Sequence, residues 1–352
     1  MKMPRIFNSE MLTVAREARG LTQSELGNRL HIAAETISRI ESGFRQPTTE
    51  QVFGFAKCLE FVDDFFFLDE QIRHFGSGCI YHRKRKKASQ GTLKKLLGLI
   101  NVRRIQLKKL LQSAEIETAN QFVRLDIDEH GEPAEIARMV RTIWKIPPGP
   151  IQNLTRTLED AGGIVLRCDF GTRDVDAISQ WLTGSPPLFL VNSRIPTDRC
   201  RWTLAHELGH IMMHQIPTDR MEDEADKFAA EFLTPQVEIK PYLQSVTLPE
   251  LANLKIYWKV SISSLLMRAA ELKTISPRTK SYLFTLMSKR GWTLNEPVEL
   301  PPEFPALFDE LVNVYSSELG YTVSELSRVL LEPENRVRHF FVPQRAGPQI
   351  VA

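Results

Sequence analysis

The sequence predicts a mainly α-helical chain, with an all-α bundle at its N-terminus and one small α+β domain in its middle. Three observations carry that prediction. Apolar residues recur with the helix period through most of residues 8–60 and again beyond about residue 246. Only residues 164–168, 177–181 and 188–191 read as short strands between turns. Directly after them, a run of histidines and carboxylates falls in two helix-period segments. At 352 residues the chain is long enough for two to four domains. The reading divides it into 1–69, a connector 70–130, a central domain 131–245 and a helical region 246–352 of unassigned role.

Composition narrows the class. An apolar content of 42% with 25% charged residues is that of an ordinary globular protein. No apolar run approaches the roughly 18 residues that span a bilayer, and the start, Met1-Lys2-Met3-Pro4-Arg5, lacks a signal-peptide core. No membrane partner is expected. Cys58, Cys79, Cys168 and Cys200 show no metal-ligand or redox spacing. They read as small core residues of a protein in a reducing cytoplasm.

Residues 8–60 read as short helices. Met11, Leu12, Ala15 and Ala18 give one apolar stripe, closed by Gly20. Thr22-x-x-Glu25 is a capping box opening the next, with Leu26 and Leu30 inward. Ile32, Ile37 and Ile40 mark a third, and Val52, Phe53, Ala56 and Leu59 a fourth that begins near Thr48-Thr49. A short fifth is expected at 63–68. Leu21-Thr22-Gln23-x-x-Leu26-x-x-x-Leu30, Ile37-Ser38-x-Ile40-Glu41-x-Gly43 and Arg45-x-Pro47 resemble the Xre-type helix-turn-helix. With the isoleucines inward, Ala34, Glu35, Ser38 and Arg39 face outward, where a recognition helix meets base edges in the major groove. Thr22 and Gln23, at a helix start, suit phosphate contacts. The resemblance implies double-stranded DNA as partner and a homodimer on paired half-sites. The plainer alternative is a helical bundle used for protein contact, because the outward face is only modestly basic.

Residues 71–114 contain no Asp or Glu, but they hold Arg73, Arg83, Lys84, Arg85, Lys86, Lys87, Lys94, Lys95, Arg103, Arg104, Lys108 and Lys109. Such a block can follow a DNA backbone, or it can be a solvated helix face that answers acids elsewhere. Gly76-Ser77-Gly78 reads as a flexible joint.

The central domain carries the chemistry. Thr203-Leu204-Ala205-His206-Glu207-Leu208-Gly209-His210 contains His-Glu-x-x-His in a helical run. A spacing of four stacks His206 and His210 on one face, where both imidazoles can reach a Zn²⁺ at about 2.0–2.1 Å. Glu207, about 100° round the helix, sits beside the open coordination position. A carboxylate there can take a proton from zinc-bound water, whose pKa the metal lowers to roughly 7. This is a zinc-hydrolase pattern, and the alternative is a buried helix with two hydrogen-bonded histidines.

A third ligand is found in the next helix. Ala225, Phe228, Ala229, Phe232 and Leu233 define its buried side, and Glu222 and Asp226 share that face. Glu222 as a zinc ligand satisfies an otherwise costly inward acid. Asp226 then fits as acceptor for the second ring N–H of a zinc-bound histidine. The bland alternative makes Glu222 only a first-turn acid. Glu224, about 200° from Glu222 on the wheel, is expected outward with Glu231. His214, one turn beyond His210, reads as structural or as lining the cleft.

Arg199-x-Arg201-Trp202-Thr203-Leu204-Ala205-His206-Glu207-Leu208-Gly209-His210-x-x-x-His214, then Glu222-x-Glu224-Ala225-Asp226-x-Phe228-Ala229-Ala230-x-Phe232-Leu233-x-Pro235, closely resembles the ImmA/IrrE family of bacterial metallopeptidases. The likeness extends upstream through Pro147-x-Gly149-Pro150-Ile151 and Asp160-Ala161-Gly162-Gly163-Ile164-Val165, and departs at Thr234, where a methionine is usual. It implies an α+β metallopeptidase domain with Zn²⁺, and a bacterial, nucleoid-associated regulator. Members of the family cleave a repressor, or trigger its cleavage, and so switch on stress or mobile-element genes. Two function classes follow. One is a DNA-bound regulator that is also a zinc endopeptidase, cutting itself or a partner repressor. The other is a repressor whose peptidase-like domain is a non-cleaving sensor or interaction module.

Overall fold

A computed structural model describes residues 5–73, 88–244 and 246–340. Cys79, the glycine joint at 76–78, the basic run 83–87 and the tail 345–352 lie outside the described residues. Among the described residues the helices begin with α1 (Ser9–Ala18), α2 (Gln23–Leu30), α3 (Ala34–Glu41), α4 (Thr49–Leu59) and α5 (Gln90–Leu110). Next come α6 (Pro133–Ile143) and α7 (Leu154–Asp160), then strands β1 (Ile164–Cys168), β2 (Ala177–Gln180) and β3 (Leu188–Asn192). α8 (Thr197–Met213) and α9 (Met221–Leu233) follow the sheet. The chain continues through α10 (Leu248–Trp258), α11 (Ile262–Glu271), α12 (Pro277–Lys289), α13 (Leu307–Ser317), α14 (Val323–Leu330) and α15 (Glu334–Phe340). The mainly α class with one small sheet is therefore the observed one.

The chain forms two compact units, one of residues 5–73, 88–116 and 307–340, the other of 117–306. In the first, local capping sets the helix starts. Asn8 caps α1, Thr22 with Glu25 and Thr48 with Gln51 form capping boxes for α2 and α4, and Ser89 caps α5. Met11, Leu12, Ala15, Leu26, Ile37, Ile40, Phe55 and Leu59 close over one core. A 3-10 turn over Asp63–Phe67 stands where a fifth helix is expected, and it buries Phe65 and Phe66. Arg16 grips Glu41 through two N–H donors at 2.6 and 2.8 Å, and the Gln23 amide donates to the same carboxylate at 2.8 Å. One buried cluster thus ties α1, α2 and α3 together.

α5 lies against α1 at very close range, because a Cβ at Gly98 would meet the Ala18 backbone nitrogen at 2.3 Å. Three of its basic residues answer acids inside the unit. Arg104 and Lys108 reach Glu70 at 3.3 and 2.5 Å, and Arg103 reaches Glu332 at 3.3 Å. The acid-free segment is thus neutralised locally at these three positions.

The last helices return to this unit. Tyr315 donates its hydroxyl to Leu110 O at 2.7 Å, Gln106 Nε2 donates to Leu330 O at 2.7 Å, and Val62 N donates to Leu331 O at 3.2 Å. The region 246–352, expected as one, is therefore split at about residue 307, and the connector 70–130 near residue 116.

In the second unit the three strands stand in the order β1-β3-β2. β1 pairs parallel to β3 with Val165 opposite Phe189, and β2 pairs antiparallel to β3 with Ser179 opposite Phe189. α8 packs on β2 and β3, and α9 packs on α8 and α6. Gly209 lets α8 and α9 close up, since a Cβ there would sit 3.1 Å from the Phe228 ring. Buried ion groups join residues 246–306 to this unit. Arg201 contacts Glu303 and donates to Lys259 O at 2.8 Å. Lys255, 2% exposed, lies between Asp198 at 2.6 Å and Glu296 at 2.7 Å. Glu231, expected outward, is 1% exposed and pairs with Arg268 and Arg138, because α11 covers that side of α9's end. No helix among the described residues is long and apolar enough to cross a membrane.

Candidate functional site

α8 and the first turn of α9 bring three potential ligand side chains together. The His206 and His210 rings lie 4.6 Å apart with their Nε2 atoms at 3.0 Å. Glu222 places Oε1 at 3.4 Å from His210 Nε2 and Oε2 at 3.8 Å from His206 Nε2. Donor atoms of the three residues all fall within 4.8 Å of one another, a spacing that could hold a metal ion.

The surrounding hydrogen bonds fix the tautomers. His206 Nδ1 meets Asp226 Oδ1 at 2.8 Å, so that nitrogen carries the proton and Nε2 a lone pair. His210 Nδ1 lies 3.0 Å from His214 Nδ1, and His214 Nε2 lies 3.0 Å from Glu224 Oε2. Burial, with His210 and His206 alongside, pushes the His214 pKa down to about 3, and burial likewise lowers that of His210. Both rings are therefore neutral at pH 7. His214 then donates from Nε2 to Glu224 and accepts at Nδ1 from His210, leaving the His210 lone pair on Nε2. Burial raises the Glu224 pKa, against the pull of Arg220 and Lys227. Two imidazole lone pairs thus converge beside a carboxylate, an arrangement that repels itself until a cation sits between them. The donor set fits zinc: two nitrogens and a carboxylate oxygen, with a fourth position for water or substrate.

Most of the expected site residues meet here. Glu222 points inward, and Asp226 accepts from His206, although its side chain is 58% exposed and lies at the rim of the site. Glu224 is a correction. It was expected outward, but its side chain is 13% exposed and it holds His214. The wheel angle misplaces it because His214 has left the helix, with φ −112° and ψ 106°, and its ring turns toward the start of α9. His214 backs His210 and is not one of the three clustered groups.

Glu207 is fully buried, and the Ser179 hydroxyl donates to its Oε2 at 2.7 Å. Ser179 sits on β2, an edge strand of the sheet, and sequence reasoning missed it. A serine in a four-residue strand carries no local signal, and only the β2–β3 register brings it to α8.

In the first unit, Glu35 and Arg39 are exposed on α3 and pair with each other at 2.9 Å. Ala34 and Ser38 are half-buried beside them. Thr22 is exposed, but its hydroxyl donates to Glu25, and the Gln23 amide is bonded to Glu41. Of the two expected phosphate contacts, Gln23 therefore has a structural role in addition.

Comparison with known families agrees with this geometry. Residues 14–63 match the helix-turn-helix family, and residues 158–270 match the IrrE N-terminal-like domain of peptidase family M78. No curated protein matches the chain. The second match runs past residue 245 through α10 and α11, as the compact unit does. The chain is thus a DNA-binding regulator in which an Xre-type helix-turn-helix domain is fused to an IrrE N-terminal-like domain of the M78 peptidase family.

Proposed function

We propose that this regulator is a zinc-dependent endopeptidase that cleaves a repressor, itself or a partner, and so relieves repression. The convergence of His206, His210 and Glu222 beside the buried Glu207 carries the reading. His206 Nε2, His210 Nε2 and the Glu222 carboxylate would hold the ion. Zinc bound there would supply a Lewis acid able to polarise a peptide carbonyl and to lower the pKa of a bound water to about 7. Glu207 takes the proton from the attacking water and returns it to the leaving amine. Ser179 orients the Glu207 carboxylate through Oε2. Asp226 on one side, and His214 with Glu224 on the other, keep the two ring lone pairs facing the ion. β2, at the sheet edge beside α8, offers its backbone to an extended substrate by strand addition. The DNA-binding unit acts as a homodimer on paired half-sites.

The Glu207→Gln variant tests the enzymatic claim. Zinc and DNA binding are retained, while cleavage of the repressor and derepression in cells are lost. Derepression that survives this change would remove the peptidase from the account.

A further inference from the structure

The end of the chain repeats its beginning at an offset of 300 residues. Thr22, Ser24, Glu25, Leu26 and Leu30 recur as Thr322, Ser324, Glu325, Leu326 and Leu330. The backbone repeats with them. α2 and α14 are each eight residues long, and each opens with a capping box. In α2 the Thr22 amide and hydroxyl donate to Glu25 Oε2 at 2.7 and 2.8 Å, and in α14 those of Thr322 donate to Glu325 Oε2 at 2.8 and 2.7 Å. Each helix ends on a non-glycine residue in the left-handed region, His31 at φ 56° and Leu331 at φ 59°. That conformation is uncommon outside glycine. Each chain then resumes as a helix three residues on, α3 at Ala34 and α15 at Glu334. The inward anchors correspond as well, with Leu26 and Ile37 fully buried in one motif and Leu326 and Val337 in the other. The match to the helix-turn-helix family stops at residue 63 and does not include this second copy.

We propose that residues 322–340 form a second helix-turn-helix that reads double-stranded DNA, so that each chain carries two reading heads. The inference rests on the DNA-binding reading of the first motif. Among the described residues α15 packs chiefly on α14, and its Glu334, Asn335 and Arg338 are exposed. Asn335 and Arg338 are three apart, hence neighbours on the helix surface. Their side chains have the chemistry of base readout: an amide suits adenine and a guanidinium suits guanine, each in two-point contact. Arg338 is held by Glu334 at 3.5 Å, as Arg39 is held by Glu35 in the first motif. Such exposed pairs are weak and give way at little cost. Arg328 and Ser324 are exposed on α14, the helix that crosses the phosphate backbone in this motif. None of the exposed large apolar side chains among the described residues lies within 322–338, which argues against a protein-docking face.

The test is selection of binding sites by the full chain from a pool of duplexes with a randomised central segment. Wild type, Arg39→Ala and the double variant Asn335→Ala/Arg338→Ala are compared. The wild type is expected to recover paired half-sites of two parts each, with one part of each half-site lost in Arg39→Ala and the other in the double variant. On the wild-type duplex the double variant should bind about tenfold or more weakly, with its melting temperature unchanged because both side chains are exposed. An unchanged motif and affinity in the double variant overturns the second head and leaves the first standing. An unchanged motif with an altered oligomeric state by light scattering overturns it in favour of a protein contact. A wild type that recovers no motif overturns both the second head and the DNA-binding reading beneath it.

Discussion

At the scale of single residues, the proton arrangement around His210 decides what the site can bind. A histidine that donates its Nδ1–H to a neutral neighbour presents a lone pair at Nε2, and His214 is that neighbour only while its own Nε2–H is donated to Glu224. His214→Ala removes this support without touching a ligand atom. Zinc affinity should fall by about 10–100-fold, while the bound amount at excess zinc is unchanged, as measured by competition with a chromophoric chelator. An unchanged affinity would show that His210 is oriented without it. The grouping of His206, His210 and Glu222 was legible in the sequence, because the spacing of His-Glu-x-x-His stacks its histidines on one face and the apolar period of the next helix turns Glu222 toward its buried side. Glu224 was not legible, because its partner reaches it from a residue that has left the helical path. Ser179 was not legible because strand register is a long-range property.

At the scale of elements, two helix pairs depend on glycine for their approach. Gly98 faces the α1 backbone, and a methyl group there would lie 2.3 Å from Ala18 N, an obstacle that no side-chain rotamer relieves. Gly98→Ala should destabilise the first unit by about 1–3 kcal/mol or more, read as a lower denaturant midpoint, with zinc binding unaffected. Equal stability would mean that α5 can slide away from α1 at no cost. The helices themselves were readable from capping boxes and apolar period, as in α2, which opens on the Thr22–Glu25 box that the sequence predicts. The short fifth helix expected at 63–68 forms as a 3-10 helix over Asp63–Phe67, from which Phe65 and Phe66 are buried in the core. α15 was missed because its apolar positions are few, and only comparison with α3 across 300 residues reveals it.

At the scale of the whole molecule, the order of the sequence is not the order of the packing. α13, α14 and α15 close onto the unit built by the first helices, whereas α10, α11 and α12 complete the peptidase unit. The proline-rich passage from Pro297 to Pro305 marks a joint before residue 307, but nothing local tells which unit the helices beyond it join. The contacts that decide membership are pairs such as Gln106 with Leu330 and Arg201 with Glu303, 224 and 102 residues apart in the chain. Deletion of residues 307–352 should therefore lower the thermal stability of the DNA-binding unit and leave zinc content unchanged. Two calorimetric transitions, of which only one shifts, would be the expected record.

The central claim is that this regulator carries a working zinc site made by His206, His210 and Glu222. Zinc per chain, measured by elemental analysis on wild type, Glu222→Ala and Glu224→Ala, tests it most directly. The account predicts about one zinc in the wild type, loss with Glu222→Ala, and with Glu224→Ala a full site at excess zinc that binds more weakly. A wild type that takes up no zinc, or a Glu222→Ala chain that keeps it at wild-type affinity, would contradict it.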